Sequence, residues 1–229
     1  MDRLIEAIED KQNPSVVGLD PTEALVPKQV VASFAEEIAE QVEDPTEAPA
    51  AQLSVAFFEF NRAIIDAVAD IVPAVKPQIA MYEALGPAGI DAYSMTCEYA
   101  KQQGLYVLGD VKRGDIGETQ KYYAQAYFER LGVDAVTLSP FMGYDTLEPF
   151  LEYEGKGVYL LTVTSNPGSS DIERRELSDG RKVYELVGDM VRRSMQEHRK
   201  TSVGMVVGLT NADSDILARI PDAPLLIPG

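Results

Sequence analysis

Short apolar runs rich in β-branched residues alternate along this chain with longer segments in which apolar residues recur every three or four positions. Turn-forming Gly, Pro, Asp and Ser follow most of the short runs, as they do at strand ends. The apolar runs predict strands over residues 15–19, 71–75, 105–111, 134–139, 157–164, 203–208 and 223–227. Because these runs are apolar at nearly every position, we expect both faces of the sheet to be covered.

The segments between the predicted strands have helical periodicity. They predict helices over residues 30–42, 55–69, 81–103, 118–131, 146–153, 182–197 and 213–218, with a break near Gly86 and Pro87 and a helix-breaking segment at 44–49. Regular alternation of strand and helix indicates parallel strands joined by crossovers. Seven such units favour an α/β fold of the TIM (β/α)8 barrel type without its eighth unit, because a doubly wound sheet usually has fewer strands. We therefore expect residues 1–229 to form a single barrel domain that is incomplete at its C-terminal end.

The composition limits the binding partners and the cellular compartment that we expect for this protein. Asp and Glu outnumber Lys and Arg by 37 to 20, so the formal net charge is −17 and nucleic acid is a poor partner. No apolar run reaches the roughly 18 residues that span a membrane, and the N-terminus lacks a secretory signal. Cys97 has no second cysteine to pair with, which favours a reducing cytoplasm. One histidine and one cysteine also make a zinc site or a Ser-His or Cys-His catalytic device unexpected.

Polar residues at the predicted strand ends are the candidates for chemistry, because catalytic groups of a barrel lie at the C-terminal ends of its strands. They are Asp20, Lys76, Asp110, Lys112, Asp115 and Ser165. Asp110 and Lys112 are two residues apart, so both side chains are expected on the same side of the strand. Asp115 lies beyond the strand and can reach elsewhere, including a neighbouring subunit. Alternating carboxylates and ammonium groups indicate an active site, and an ion-pair network at the barrel mouth is the structural alternative.

Five ordered blocks carry a resemblance to a known family. Residues 110–119 (DVKRGDIGET) resemble the signature of the orotidine 5′-phosphate decarboxylases, and residues 17–21 (VGLDP) resemble their first-strand motif. Residues 60–66 (FNRAIID) and 76–83 (KPQIAMYE) resemble the second form of the family, common in bacteria, and residues 164–169 (TSNPGS) resemble the loop after strand five. The resemblance covers residues 15–229 in order.

This resemblance implies a cofactor-free and metal-free conversion of orotidine 5′-phosphate to uridine 5′-phosphate (UMP) in pyrimidine biosynthesis. It implies that Lys112 protonates the pyrimidine C6 atom, that Asp110 and Asp115 flank it, and that Lys76 completes the charged set. It also implies a ribose contact by Asp20 and a pyrimidine contact by Ser165. Asp115 and Thr119 would reach across a homodimer, so that the two active sites are shared between subunits.

The phosphate site is where this sequence departs from the family pattern. The resemblance implies that backbone N–H groups after strand seven hold the phosphate, and Pro228 and Gly229 stand at that place. It also implies an arginine after strand eight, which these 229 residues do not contain. We therefore expect an incomplete phosphate site in this chain.

Two other functions stay open on the sequence. One is a Mg²⁺-dependent sugar-phosphate decarboxylase of the same superfamily, which would hold its metal with acidic residues at strand ends. The other is a non-catalytic protein that binds nucleotide monophosphates. Sensitivity to EDTA distinguishes the first, and binding of UMP without turnover distinguishes the second.

Overall fold

The computed structural model describes residues 1–197, 199–208, 210 and 215–228, and it divides into two compact units. The N-terminal unit contains Asp2–Val111 and Leu131–Val133. The C-terminal unit contains Lys112–Arg130, Asp134–Gly229 and Met1. The single-domain expectation for residues 1–229 stays a prediction.

Seven strands lie in the described residues, one for each predicted apolar run. They are β1 (Val16–Leu19), β2 (Ala74–Pro77), β3 (Tyr106–Arg113), β4 (Ala135–Leu138), β5 (Gly157–Val163), β6 (Ser202–Val207) and β7 (Leu225–Leu226). In the N-terminal unit β1 pairs with β2 and β2 with β3. In the C-terminal unit β4 pairs with β5, β5 with β6 and β6 with β7. All of these pairs are parallel, as the alternation predicts.

The second strand lies two to three residues later than predicted. Ile71 and Val72 belong instead to a turn, because their N–H groups donate to the carbonyl of Val68 at 2.8 and 3.0 Å. Pairing with β1 then extends the strand to Pro77, opposite Leu19. An apolar run alone does not show where a helical turn ends and a strand begins, since both bury apolar side chains.

Ten α-helices occur in the described residues. They are α1 (Asp2–Lys11), α2 (Lys28–Ala32), α3 (Ala35–Gln41), α4 (Ala48–Val68), α5 (Ile79–Glu83), α6 (Gly86–Gln102), α7 (Gly117–Gln125), α8 (Glu148–Leu151), α9 (Val183–Gln196) and α10 (Ile216–Arg219). A π-helical turn, Ala126–Arg130, continues α7. Short 3₁₀ turns lie at Tyr144–Thr146 and Pro167–Asp171. The predicted break near Gly86 separates α5 from α6.

Three helix predictions were wrong in part. No helix is predicted for residues 2–11, where α1 forms, and α2 and α3 are predicted as one helix over 30–42. The predicted start of α4 is also seven residues late, because residues 44–49 resemble a breaker. Asp44 instead accepts the N–H and the hydroxyl of Thr46 at 2.9 and 2.8 Å, and Pro49 fits the first turn of α4, where its missing N–H has no cost.

Helix α1 is fixed by its last residue as well as by its apolar face. Leu4 is buried, and the Lys11 ammonium donates to the carbonyl oxygens of Ala69 and Val72. These carbonyls follow the end of α4, where backbone acceptors have no partner within the helix. A cation there also interacts favourably with the helix dipole.

Within the described residues, no helix combines the length and the apolar character needed to cross a bilayer.

The corner between α5 and α6 requires a glycine. A Cβ atom at Gly89 would lie 1.9 Å from the carbonyl oxygen of Tyr82, which is far inside contact distance. Tyr82 is fully buried and packs edge-on against Tyr93 of α6, with ring centroids 5.1 Å apart. The two helices can therefore approach each other only while position 89 has no side chain.

Gly89→Ala is expected to destabilise the protein by about 3 kcal/mol, because backbone rather than a flexible side chain blocks the added methyl group. Asp91→Ala, an exposed change on the same helix, is the matched control and should cost no more than about 0.5 kcal/mol. Urea denaturation followed by circular dichroism measures both. Equal midpoints for the two variants would show that α5 and α6 do not approach this closely.

Candidate active site

An ion pair between a partly exposed lysine and a buried carboxylate joins β2 and β3 in the N-terminal unit. Asp110 is 7% exposed, and its Oδ2 atom lies 3.1 Å from the Lys76 ammonium. The Gln78 side-chain amide donates to the same oxygen at 2.9 Å. A buried carboxylate is costly unless it is paired and hydrogen-bonded, and these two donors meet that requirement. They also fix the direction in which the carboxylate points.

Gln78 is a contributor to this site that the sequence reading did not single out. Its Nε2 atom donates to Asp110, while its Oε1 atom accepts the N–H of Ala80 at 3.4 Å and caps the start of α5. Its backbone also forms an isolated parallel bridge with Asp110. The sequence feature that could have identified Gln78 as a site residue is its position two residues after Lys76, within the family-like block 76–83.

Asp20 follows β1 and is exposed to solvent. Two hydrogen bonds fix the preceding residue, Leu19. Its carbonyl accepts the N–H of Gln78 at 3.3 Å and the Tyr82 hydroxyl at 3.5 Å. Asn61 donates to that hydroxyl at 2.7 Å. Burial raises the pKa of Tyr82 above its ordinary value, so the hydroxyl keeps its proton and can donate. Asn61 and Tyr82, both in family-like blocks, thus support the strand end that carries Asp20.

Lys112 has an unusual backbone in the C-terminal unit. Its φ angle is 47°, in the left-handed region that non-glycine residues rarely adopt. Its N–H donates to the hydroxyl of Thr137 on β4 at 3.0 Å. The next residue, Arg113, accepts the N–H of Ser139 at 2.8 Å through its carbonyl. The end of β3 is therefore bonded to β4 at and just after the lysine, and the lysine side chain is exposed.

The turn after Lys112 lies close against the residue that follows β4. A Cβ atom at Gly114 would lie 2.8 Å from the Ser139 carbonyl oxygen, so only glycine fits this position. Asp115 is half-buried and accepts the N–H of Ile116 at 2.7 Å. Thr119 is exposed on the first turn of α7. The family-like block 110–119 therefore runs from a buried strand through a tight turn to the start of a helix.

Arg113 anchors this block to α7 and its π-helical extension. The guanidinium carbon lies 5.7 Å from the Tyr123 ring centroid and 5.6 Å from that of Tyr127. Contacts of this kind contribute about 0.5–2 kcal/mol each. Tyr127 lies in the π-helical turn, and turns of this type are frequent at functional sites.

Ser165 lies at the end of β5, beside the end of β6. A Cβ atom at Gly208 would lie 2.8 Å from the Ser165 backbone nitrogen, so the two chain segments touch. The residue before it, Thr164, donates its N–H and its hydroxyl to the Glu173 carboxylate at 2.8 and 2.9 Å. Glu173 therefore fixes the start of the loop after β5. The sequence reading gave no role to Gly208 or Glu173.

The predicted site residues thus lie at strand ends or on the segments that follow them. Lys76 and Asp110 are in contact, with Gln78 as a further partner, and Lys112 follows Asp110 on the same strand. Pro228 is half-buried two residues beyond β7, and Gly229 lies outside the described residues. Among the residues that the structure describes, no three or more His, Cys, Asp or Glu side chains group closely enough to hold a metal ion.

Comparison with known proteins decides the family. The profile of the orotidine 5′-phosphate decarboxylase / HUMPS family matches residues 15–229. This chain belongs to that family. An orotidine 5′-phosphate decarboxylase of Clostridium botulinum is 39% identical over 237 residues, which cover 100% of this chain and 78% of the relative. The Clostridium perfringens enzyme is 37% identical over 238 residues, with 100% and 77% covered.

Solved structures of the family agree in fold. The Leishmania donovani orotidine monophosphate decarboxylase superposes with a TM-score of 0.77 at 30% identity, covering 100% of this chain and 78% of that one. A putative family member from Toxoplasma gondii gives a TM-score of 0.83 at 27% identity, with the same coverage. The predicted family and the predicted α/β TIM-barrel class are therefore confirmed. Relatives in the family are longer than this chain, which covers about three quarters of their length.

The left-handed backbone at Lys112 gives a stability test that does not depend on activity. Lys112→Gly is expected to be more stable than Lys112→Ala by about 1 kcal/mol, because alanine keeps the steric penalty of this conformation and glycine does not. The order should reverse at Lys121, an exposed position inside α7, where alanine is favoured by about 1 kcal/mol. Thermal unfolding of the four variants measures this. A Lys112→Ala protein more stable than Lys112→Gly would argue against the left-handed conformation.

Proposed function

We propose that this protein decarboxylates orotidine 5′-phosphate to UMP in de novo pyrimidine biosynthesis, and that it does so without a metal or organic cofactor. The observation that carries the proposal is the buried Asp110 carboxylate held by Lys76 and Gln78, two residues before Lys112, in a chain of this family. A carboxylate fixed in this way supplies a preoriented negative charge near the C-terminal end of a strand, which is where barrel enzymes carry their catalytic residues. The activity named for the clostridial relatives supports the same conclusion.

In the proposed reaction the bond between C6 and the carboxylate carbon breaks, and carbon dioxide leaves without the bonding electrons. The electron pair stays on C6 as a carbanion with little resonance relief. The Lys112 ammonium stabilises this charge and then gives C6 a proton, which the lysine later regains from water. Lys112 is suited to the step because its side chain is exposed while its backbone is held to β4.

Asp110 has a supporting role in this proposal. Its carboxylate is already oriented by Lys76 and Gln78, so no reorganisation is needed when substrate binds. A negative charge there also repels a substrate carboxylate placed beside it, and this repulsion is relieved as carbon dioxide departs. Asp115 is proposed as the second carboxylate that flanks Lys112.

One lysine cannot supply the whole rate enhancement. General acid catalysis contributes about 10² to 10⁴-fold, whereas enzymes reach about 10⁶ to 10¹⁷-fold. Binding energy from the non-reacting parts of the substrate must supply the rest. We propose that Asp20 contacts the ribose, that Ser165 contacts the pyrimidine, and that the chain around Pro228 and Gly229 contacts the phosphate.

We further propose a homodimer in which Asp115 and Thr119 reach the partner's site. Large apolar side chains next to these residues support it: Ile116, Tyr122, Phe141 and Met142 are 60, 67, 79 and 45% exposed. The turn at Gly114 touches Ser139, so the segments carrying these side chains start side by side. Exposed apolar side chains concentrated in one region mark interaction surfaces. We also propose a cytoplasmic location, because the single cysteine, Cys97, is free and buried, which fits a reducing compartment.

Lys112→Ala is expected to reduce the turnover of orotidine 5′-phosphate at least about 10⁴-fold, because both the stabilising charge and the proton donor are lost. Lys121→Ala, an exposed lysine on α7, is the control and should keep wild-type activity. The measurement is the loss of substrate absorbance, with and without EDTA. A Lys112→Ala protein that keeps a tenth of the activity would refute the proton-donor role. Loss of wild-type turnover in EDTA would favour the Mg²⁺-dependent alternative, and UMP binding without turnover would favour a binding protein.

Mixing Asp115→Ala with Lys112→Ala subunits is expected to restore about a quarter of wild-type activity. Random pairing makes half of the dimers mixed, and each mixed dimer has one complete site out of two. Each variant alone should stay inactive, which provides the control. Native mass spectrometry counts the mixed dimers, and the absorbance assay measures their activity. Mixed dimers that form without any recovery would contradict a shared site.

A further inference from the structure

We propose that Thr137 is a positioning residue for the reaction, one that holds the Lys112 backbone in the conformation that directs its ammonium group. The proposal rests on the proposed function, because it assumes that Lys112 is the proton donor. It assigns a task to a residue outside the family-like blocks, on a different strand from the lysine. Its basis is the combination of a left-handed lysine and a side chain that binds that lysine's own backbone.

The conformation of Lys112 needs an external cause. A strand residue normally has φ near −120°, and its side chain points to one face of the sheet. At φ 47° the chain turns, and the side chain leaves in a different direction from the one that the strand would impose. A lysine adopts this region only at a steric cost, so surrounding contacts must favour it. The left-handed angle therefore points to a partner that selects it.

Thr137 has the properties that such a partner needs. It is 1% exposed in the middle of β4, and its branched side chain has few rotamers available. Its hydroxyl oxygen is therefore a fixed acceptor, and the Lys112 N–H reaches it at 3.0 Å. The Lys112 N–H thus has a side-chain acceptor on the neighbouring strand.

Two further contacts limit the movement of the segment beyond Lys112. The Ser139 N–H donates to the Arg113 carbonyl at 2.8 Å, and Gly114 fits against the Ser139 carbonyl only because it lacks a side chain. These contacts fix the segment after the lysine, whereas the Thr137 hydroxyl bonds the lysine's own N–H. Loss of the Thr137 hydroxyl should therefore release the lysine while the rest of the turn stays in place.

The activity test compares Thr137→Val, Thr137→Ser and a control. Valine keeps the shape of threonine without the acceptor, so kcat is expected to fall roughly 10- to 100-fold, the size of effect that a misplacement of about 1 Å causes, with KM little changed. Serine keeps the hydroxyl and should restore kcat to within roughly threefold of wild type. Thr201→Val is the control, because this buried hydroxyl bonds the Phe150 and Tyr153 carbonyls before β6 begins. It should lower stability and leave kcat unchanged.

Three results in this assay would overturn the proposal. Thr137→Val could keep kcat within roughly twofold of wild type. Thr137→Val and Thr201→Val could lose kcat equally, which would indicate a general effect of stability. Thr137→Ser could lose as much as Thr137→Val, which would show that the methyl group matters rather than the hydroxyl.

A stability cycle tests the same contact without any turnover. The difference in melting temperature between Lys112→Gly and Lys112→Ala is measured once with Thr137 and once with Thr137→Val. If Thr137 selects the left-handed conformation, the advantage of glycine should shrink by at least about half when the hydroxyl is absent. An unchanged advantage would overturn the proposal. A wild-type protein without activity on orotidine 5′-phosphate would refute the proposed function, and this cycle would still decide the role of Thr137.

Discussion

The Asp110 carboxylate is buried, and burial of a charge imposes a demand on everything around it. Lys76 and Gln78 meet that demand because β2 and β3 are parallel and in the register that brings their ends together. The same two residues lie beside β1, whose last carbonyl accepts the N–H of Gln78. The sheet of the N-terminal unit therefore does more than bury apolar side chains. Its register determines whether the charges compensate one another, so fold and electrostatics cannot vary independently here.

In the C-terminal unit, Lys112 is positioned in a different way from Asp110. Lys112 is positioned through its backbone, by a left-handed turn that is bonded to β4 and followed by a glycine in contact with Ser139. Long side chains such as lysine have many rotamers, and fixing the backbone at the start reduces the number of directions available. Arg113 extends the same arrangement to α7 through its two tyrosines. The flexible Lys112 side chain therefore begins at a backbone position that is fixed.

Much of this arrangement is visible in the sequence, and the remainder depends on contacts between distant residues. The strands could be located because parallel, covered strands are apolar throughout, and the block 110–119 carried the family resemblance. Helix α1 and the early start of α4 were missed, because a bond from Lys11 to the end of α4 and a turn at Asp44 are not periodic features. Thr137 and Gln78 were missed for a similar reason. An uncharged residue gains its role from the group it contacts, and only the pairing of strands shows which group that is.

The left-handed lysine also has an evolutionary consequence. Under the proposed function, selection for catalysis retains an amine at a position where another residue, glycine above all, would suit the backbone better. A descendant freed from that selection would gain stability by replacing Lys112, since natural sequences readily accept stabilising changes where function no longer opposes them. Loss of this lysine should therefore be an early event in any lineage that keeps the barrel for another function. The residue at position 112 would then indicate that the function has changed.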